Sequence, residues 1–243
     1  MTLLFVTMPR RLIGELLGTA LLLAAVVGSG IMGERLSGGN VAIALLANTL
    51  ATGATLVTLI FTFGAVSGAH FNPAVTLADA SQGGMPWRDV PGYIVAQAVG
   101  AMLGVWAAHL MFAEPVLQAS RHVRSGGSQL FSEFIATFGL LSVIWGCGRL
   151  RTEAVPFAVG LYITGAYWFT ASTSFANPAV TLARAFTNIF AGIRPVDAPG
   201  FIAPQLVGAF AATFLFRWLV PPLPKRARDV VAPHPEPELS HGR

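Results

Sequence analysis

Asn72-Pro73-Ala74-Val75-Thr76-Leu77-Ala78 recurs without a change at Asn177-Pro178-Ala179-Val180-Thr181-Leu182-Ala183. Asn is a favoured helix N-cap, and Pro fits the first helical position because its missing N–H would find no intrahelical acceptor there. Each copy therefore starts a helix. The apolar stretch that follows is short: from Pro73 to about residue 82, and from Pro178 to about residue 188, there is room for roughly 15 Å at 1.5 Å per residue, about half of a hydrocarbon core. Such helices enter a bilayer and stop.

A bilayer is the solvent that the composition asks for. The 243 residues are 54% hydrophobic and 11% charged, with a mean hydropathy of +0.65, against roughly 25% charged residues in an average soluble domain. Five runs nearly free of charge, at 12–33, 41–63, 90–112, 129–148 and 200–220, are each long enough to span. A sixth candidate span, 154–173, opens just after Glu153. The first run is too long for a secretory signal and lacks a small-residue cleavage site, so it reads as a retained span. With six spans the termini share a side. That side collects Arg10, Arg11, Arg88, Arg149, Arg151, Arg217, Lys225, Arg226, Arg228 and Arg243, and the other side Arg35, Arg121, Arg124 and Arg194. The positive-inside rule then puts both termini in the cytoplasm. The net charge of +4 is a topology signal and not a nucleic-acid one. Cys147, the single cysteine, excludes a disulfide framework.

The repeat extends beyond the seven-residue string. Glu15-Leu-Leu-Gly-Thr19 is echoed by Glu133-Phe-Ile-Ala-Thr137, Thr52-Gly-Ala54 by Thr164-Gly-Ala166, and Gln97-Ala-Val-Gly-Ala101 by Gln205-Leu-Val-Gly-Ala209. One unit of three spans and a half-helix is thus duplicated, at 11–112 with half-helix 73–82 and at 129–220 with half-helix 178–188, joined by an extracytoplasmic loop, 113–128. Residues 1–10 form a cytoplasmic N-terminus, and 221–243 a Pro-rich polar tail expected to be mobile. An odd number of spans per unit sets the two copies in opposite orientations, and half-helices in such inverted repeats meet near the midplane. The backbone before each motif, Gly68, Ala69, His70 and Phe71 in one copy and Thr173, Phe175 and Ala176 in the other, should line a wet path, because irregular backbone at that depth is tolerated only there or inside protein. The paired helix N-termini and the Asn72 and Asn177 amides make its centre hostile to cations and receptive to neutral hydroxyl-bearing solutes.

Glu15-Leu-Leu-Gly-Thr, Ser67-Gly-Ala-His-Phe-Asn-Pro-Ala and the second Asn-Pro-Ala resemble the major intrinsic proteins, the aquaporins and aquaglyceroporins, over about residues 10–220. The resemblance implies an all-α membrane protein of six transmembrane helices plus two re-entrant half-helices, with one passive pore per subunit in a homotetramer. A bacterial-type inner membrane is the expected location. In most of that family an Arg follows the second Asn-Pro-Ala and forms the charged side of the selectivity filter; here the residue is Val180. Motif spacing assigns the other filter positions to Thr52, Gly165 and Ser174. Four small, uncharged, non-aromatic side chains predict a wide filter. An Arg-less filter resembles that of bacterial channels associated with arsenic-resistance operons, which pass As(OH)3 and methylated arsenicals. As(OH)3 and glycerol each carry three hydroxyls on a compact body, so the sequence leaves both open as solutes, with water beside them.

Asp79 and Arg184 each lie seven residues after their Asn, as candidates for the two vestibules. Arg184, one turn past Val180, is either a displaced filter charge or an interfacial side chain. Glu15 and Glu133 either couple protons or accept hydrogen bonds from the re-entrant loops, and the resemblance favours the second. His70 reads as a pore-lining or loop-holding group, not a metal ligand. Gln97 and Gln205 read as bonding between helices, and His109 carries no signal. There is no phosphate loop, metal cluster or nucleophile-base pair, so neither an enzyme nor a bound cofactor is expected. The rival reading is a proton-coupled secondary transporter, since inverted repeats and broken helices also describe that class.

Overall fold

The computed structural model describes residues 6–219, apart from the side chains of residues 149 and 150. Eight α-helices follow one another: α1 Met8–Leu36, α2 Val41–Ser67, α3 Pro73–Ser81, α4 Val90–Phe112, α5 Gly127–Leu150, α6 Val155–Phe169, α7 Pro178–Arg184 and α8 Ala198–Leu219. Local chemistry sets their ends. The Asn40 side chain accepts the Ala42 and Ile43 N–H groups at the start of α2, and Gly68, at φ 88°, closes it in the left-handed conformation that glycine adopts without strain. Proline occupies the first turn of α1, α3, α4, α6 and α7. Among the described residues five helices are long and apolar enough to cross a membrane. The sixth, α6, has 15 residues, and a 3-10 turn, Thr152–Ala154, precedes it.

These helices have no polar outer face. Ile13, Leu17 and Leu21 of α1, Leu103 and Leu110 of α4, and Phe157 and Leu161 of α6 are exposed, which is what a lipid solvent permits. With apolar surface on both sides, hydrophobic burial cannot select the packing partner, so close backbone approach does. On α4, a Cβ at Gly100 would sit 2.3 Å from the Leu16 carbonyl oxygen, and one at Gly104 would sit 2.1 Å from that of Ala20. The bare glycines let α1 and α4 touch backbone to backbone.

The packing has the symmetry of the repeat. α1 packs on α4 and α2, α5 packs in the same way on α8 and α6, and α2 against α6 joins the halves. The short helices α3 and α7 touch each other, and each also touches both α4 and α8. α3 ends within a residue of the expected 82. α7 stops at Arg184, four residues short of the expected 188, because the loops claim its terminal carbonyls: Ile193 N–H donates to Arg184 O and Ser120 N–H to Ala185 O. Four basic residues of the orientation argument, Lys225, Arg226, Arg228 and Arg243, lie outside the described residues, as does the tail.

Candidate solute pore

The two segments that precede the half-helices adopt the same strained backbone. Ala69 and Phe71 have φ near 50°, and so do Ser174 and Ala176, at equivalent places 105 residues on; Gly68 at 88° matches Thr173 at 60°. For residues with a side chain this conformation costs about 1–2 kcal/mol each, so something must hold it. Two buried carboxylates do. Glu15 accepts the N–H groups of His70 and Phe71, at 3.0 and 2.7 Å, together with Ser67 Oγ and Gln97 Nε2. Glu133 accepts those of Phe175 and Ala176, both at 2.9 Å, and Gln205 Nε2 at 2.6 Å. Each glutamine also donates to the Thr of its motif, Thr76 or Thr181, and each Thr hydroxyl donates to the carbonyl of its Asn. Every bonding atom of both carboxylates faces a donor of the fold, an arrangement that supports the loops.

The half-helices meet through reciprocal bonds. Asn72 Oδ1 accepts Ala74 N–H, and Asn177 Oδ1 accepts Ala179 N–H and Val180 N–H. Their amides cross over: Asn72 Nδ2 donates to Ala176 O and Asn177 Nδ2 to Phe71 O, both at 2.8 Å. Two carbonyls of the backbone expected to line the wet path are thus occupied, and one hydrogen of each amide is committed.

A cavity with about 60 Å³ of water-accessible space runs past this junction. One wall is apolar, built from Leu22 and Val26 of α1, Leu56 and Ile60 of α2, Leu140 and Ile144 of α5, and Val159 and Ile163 of α6. The other wall is polar: Ala69, His70, Phe71 and Asn72 in one half, Ser174, Phe175, Ala176 and Asn177 in the other. Gly68 and Thr173 lie one residue outside this wall. Thr52, Ser174 and Val180 line the cavity.

Gly165 does not line it. It lies exposed on the outer side of α6, where an added Cβ would meet nothing nearer than Phe169 at 4.0 Å. Counting twelve residues back from Asn177 ignores which face of α6 turns inward. Val159, Ile163 and Tyr167 are spaced by four and share the inward face, whereas residue 165 is rotated about 200° from both 163 and 167. The missed residue is Tyr167, whose hydroxyl lies 3.4 Å from Thr52 Oγ1; the spacing of 159, 163 and 167 was the available signal. The expected all-small, non-aromatic lining is corrected accordingly. We expect Gly165→Ala to leave solute flux unchanged, and Tyr167→Ala to raise the flux of the larger solutes severalfold in proteoliposome swelling assays.

The two motif-equivalent charges have different fates. Asp79 is fully buried and does not line the cavity; its Oδ2 lies 3.7 Å from Nε2 of His70, which does. Its placement in an open vestibule is therefore corrected: it stands behind the wall. Arg184 is 1% exposed and lines the cavity, with its guanidinium carbon 3.4 Å from the centroid of the Phe175 ring and its Nε donating to Ala191 O. The lining is thus not charge-free. The loop above it is held by Arg124, which donates to Gly192 O, Ser172 O and Phe190 O. Burial, and then the charge of Arg184, push Arg124 down to about 9, which leaves it charged at neutral pH. His109, silent in the sequence, has a structural role: its ring joins Thr187 to the 113–126 loop through Val116 O.

Twin capped half-helices, their carboxylate-held loops and the cavity between them match what three comparisons find. The family model described as Major intrinsic protein matches residues 3–153 and 146–242. This chain belongs to the major intrinsic proteins. It is similar to the aquaglyceroporin AqpS of Rhizobium meliloti (strain 1021), with 57% identity over 213 residues, 88% of this chain and 91% of that one. It is also similar to the glycerol uptake facilitator protein of Streptococcus pneumoniae (strain ATCC BAA-255 / R6), with 33% identity over 65% of this chain and 74% of that one. The crystal structure of the aquaglyceroporin from Plasmodium falciparum has the same fold, with a TM-score of 0.71 at 24% identity, covering 89% of this chain and 99% of that one. This major intrinsic protein is therefore a multi-pass membrane channel for small neutral solutes with the aquaporin fold, and not an enzyme.

Proposed function

We propose that this channel passively conducts compact polyhydroxylated solutes, glycerol and trivalent arsenicals such as As(OH)3 and methylarsenite, with water as a smaller companion. The observation that carries this reading is Val180: where most relatives are expected to place a guanidinium, the cavity wall has an isopropyl group. A chain of hydroxyls can face the Ala69, Ser174 and Phe175 carbonyls, which accept no backbone hydrogen bond among the described residues, while its carbon or arsenic body faces the apolar wall. The names of the similar AqpS and glycerol facilitator favour glycerol over water alone. The chain is assigned to a bacterial-type inner membrane, with both termini cytoplasmic, as a homotetramer with one pore in each subunit. Purified wild-type protein in liposomes tests the function. Uptake of glycerol and As(OH)3 should rise linearly with concentration and ignore an uncoupler. Saturation together with collapse on uncoupling would favour the proton-coupled transporter, and water flux alone would favour an ordinary water channel.

A further inference from the structure

We propose that Arg184 is the cationic and hydrogen-bonding element of the pore, doing with Ser174 what Val180 cannot; this rests on the channel reading above. The two halves of the pore are built alike up to this point. His70 and Phe175 occupy equivalent positions, both line the cavity, and each is touched by the residue seven places past the motif Asn, Asp79 or Arg184. The charges differ in sign and in compensation. Asp79 has the His70 ring at 3.7 Å. Arg184 has no carboxylate within 4.0 Å among the described residues; it rests on the face of Phe175 and gives its Nε to Ala191 O. Its positive charge therefore has no direct ion-pair partner beside the cavity, where low dielectric strengthens repulsion of cations.

The polar atoms left over define the ligand. Arg184 Nη1 and Ser174 Oγ are buried, belong to cavity-lining residues and have no protein hydrogen-bond partner. A buried unpaired donor is costly, and a passing solute relieves that cost. Nη1 only donates, and the hydroxyl both donates and accepts. The matching solute is neutral and presents at least two hydroxyl oxygens: one to accept from the guanidinium, another to pair with Ser174. A cation is repelled, and water fills one of the two places at a time. Val180, one turn earlier on the same helix, leaves room for the larger body. The cationic and hydrogen-bonding part of selectivity has thus moved one helical turn along α7 from where the motif would place it, while Val180 sets the width.

The test compares wild type, Arg184→Met and Arg184→Lys in proteoliposomes, reading glycerol-to-water permeability ratio and proton or potassium leak in the same vesicles. Losing one charge-assisted hydrogen bond should lower the ratio in Arg184→Met by about tenfold, with a cation leak appearing. Arg184→Lys keeps the charge but not the fork, so it should exclude cations while its ratio falls. If Arg184→Met yields no folded protein, Arg184→Lys decides alone by its ratio. A wild-type ratio without leak in a variant that conducts water would overturn the proposal and leave the channel reading intact. Absence of glycerol flux in the wild type would overturn both.

Discussion

Glu133→Leu should yield no conducting channel, and its loss of stability should be among the largest of any single substitution in the pore. Three donors, Phe175 N–H, Ala176 N–H and Gln205 Nε2, lose their acceptor at once, in a site fully buried from solvent. At about 1–3 kcal/mol for each unsatisfied buried donor, the cost is about 3–9 kcal/mol before relaxation, comparable with the whole stability of a typical domain, about 5–15 kcal/mol. The left-handed Ser174 and Ala176 would also lose the carboxylate that holds their segment. Thermal unfolding in detergent should show the loss directly. Glu133→Gln keeps one acceptor oxygen and should fall between the two; a Glu133→Leu protein with wild-type melting and flux would refute the supporting role and reopen the proton-coupling one.

Asn177→Leu should bring solute flux to background. It removes the cap on α7, worth about 1 kcal/mol, and the crossing bond to Phe71 O, so the damage reaches the opposite half of the pore. Asn177→Asp separates the two functions. A carboxylate still accepts the Ala179 and Val180 N–H groups but cannot donate to Phe71 O, and it brings a negative charge to the junction of two positive helix ends. The aspartate variant should therefore remain folded by gel filtration and melting temperature, yet conduct glycerol more slowly and leak cations. Wild-type flux and ion exclusion in the aspartate variant would mean that capping alone explains Asn177.

The inverted repeat was legible because it is written in residues with few substitutes. Asn before Pro starts a helix, a buried Glu needs several donors, and a Gln spaced to supply one appears in both copies; the structure joins those same residues, Glu15 to Gln97 and Glu133 to Gln205. The filter was less legible because a position there depends on rotation and not on distance along the chain. Counting from Asn177 places Gly165 in the pore, and the packing of α6 turns Tyr167 there. Asp79 and Arg184 show a second limit. Their equivalent spacing was plain, but whether a charge reaches the cavity is decided by its neighbour: an imidazole intervenes for Asp79, whereas the Phe175 ring offers Arg184 a face to lie on. The end of α7 escaped reading for a related reason, since loop partners distant in sequence take its carbonyls.

The permeability ratio of Val180→Arg against wild type shows whether the side chain at this position sets the width of the pore. In one vesicle preparation, water, glycerol, As(OH)3 and methylarsenite fluxes are measured for both proteins at equal reconstituted amounts. A guanidinium on the wall that Val180 now forms narrows the cavity that Tyr167 and Thr52 also line, so the three larger solutes should fall by about tenfold or more relative to water, a difference of about 1.4 kcal/mol in barrier. Equal reductions for all four solutes, or none, would contradict the placement of Val180 at the selective point of the pore.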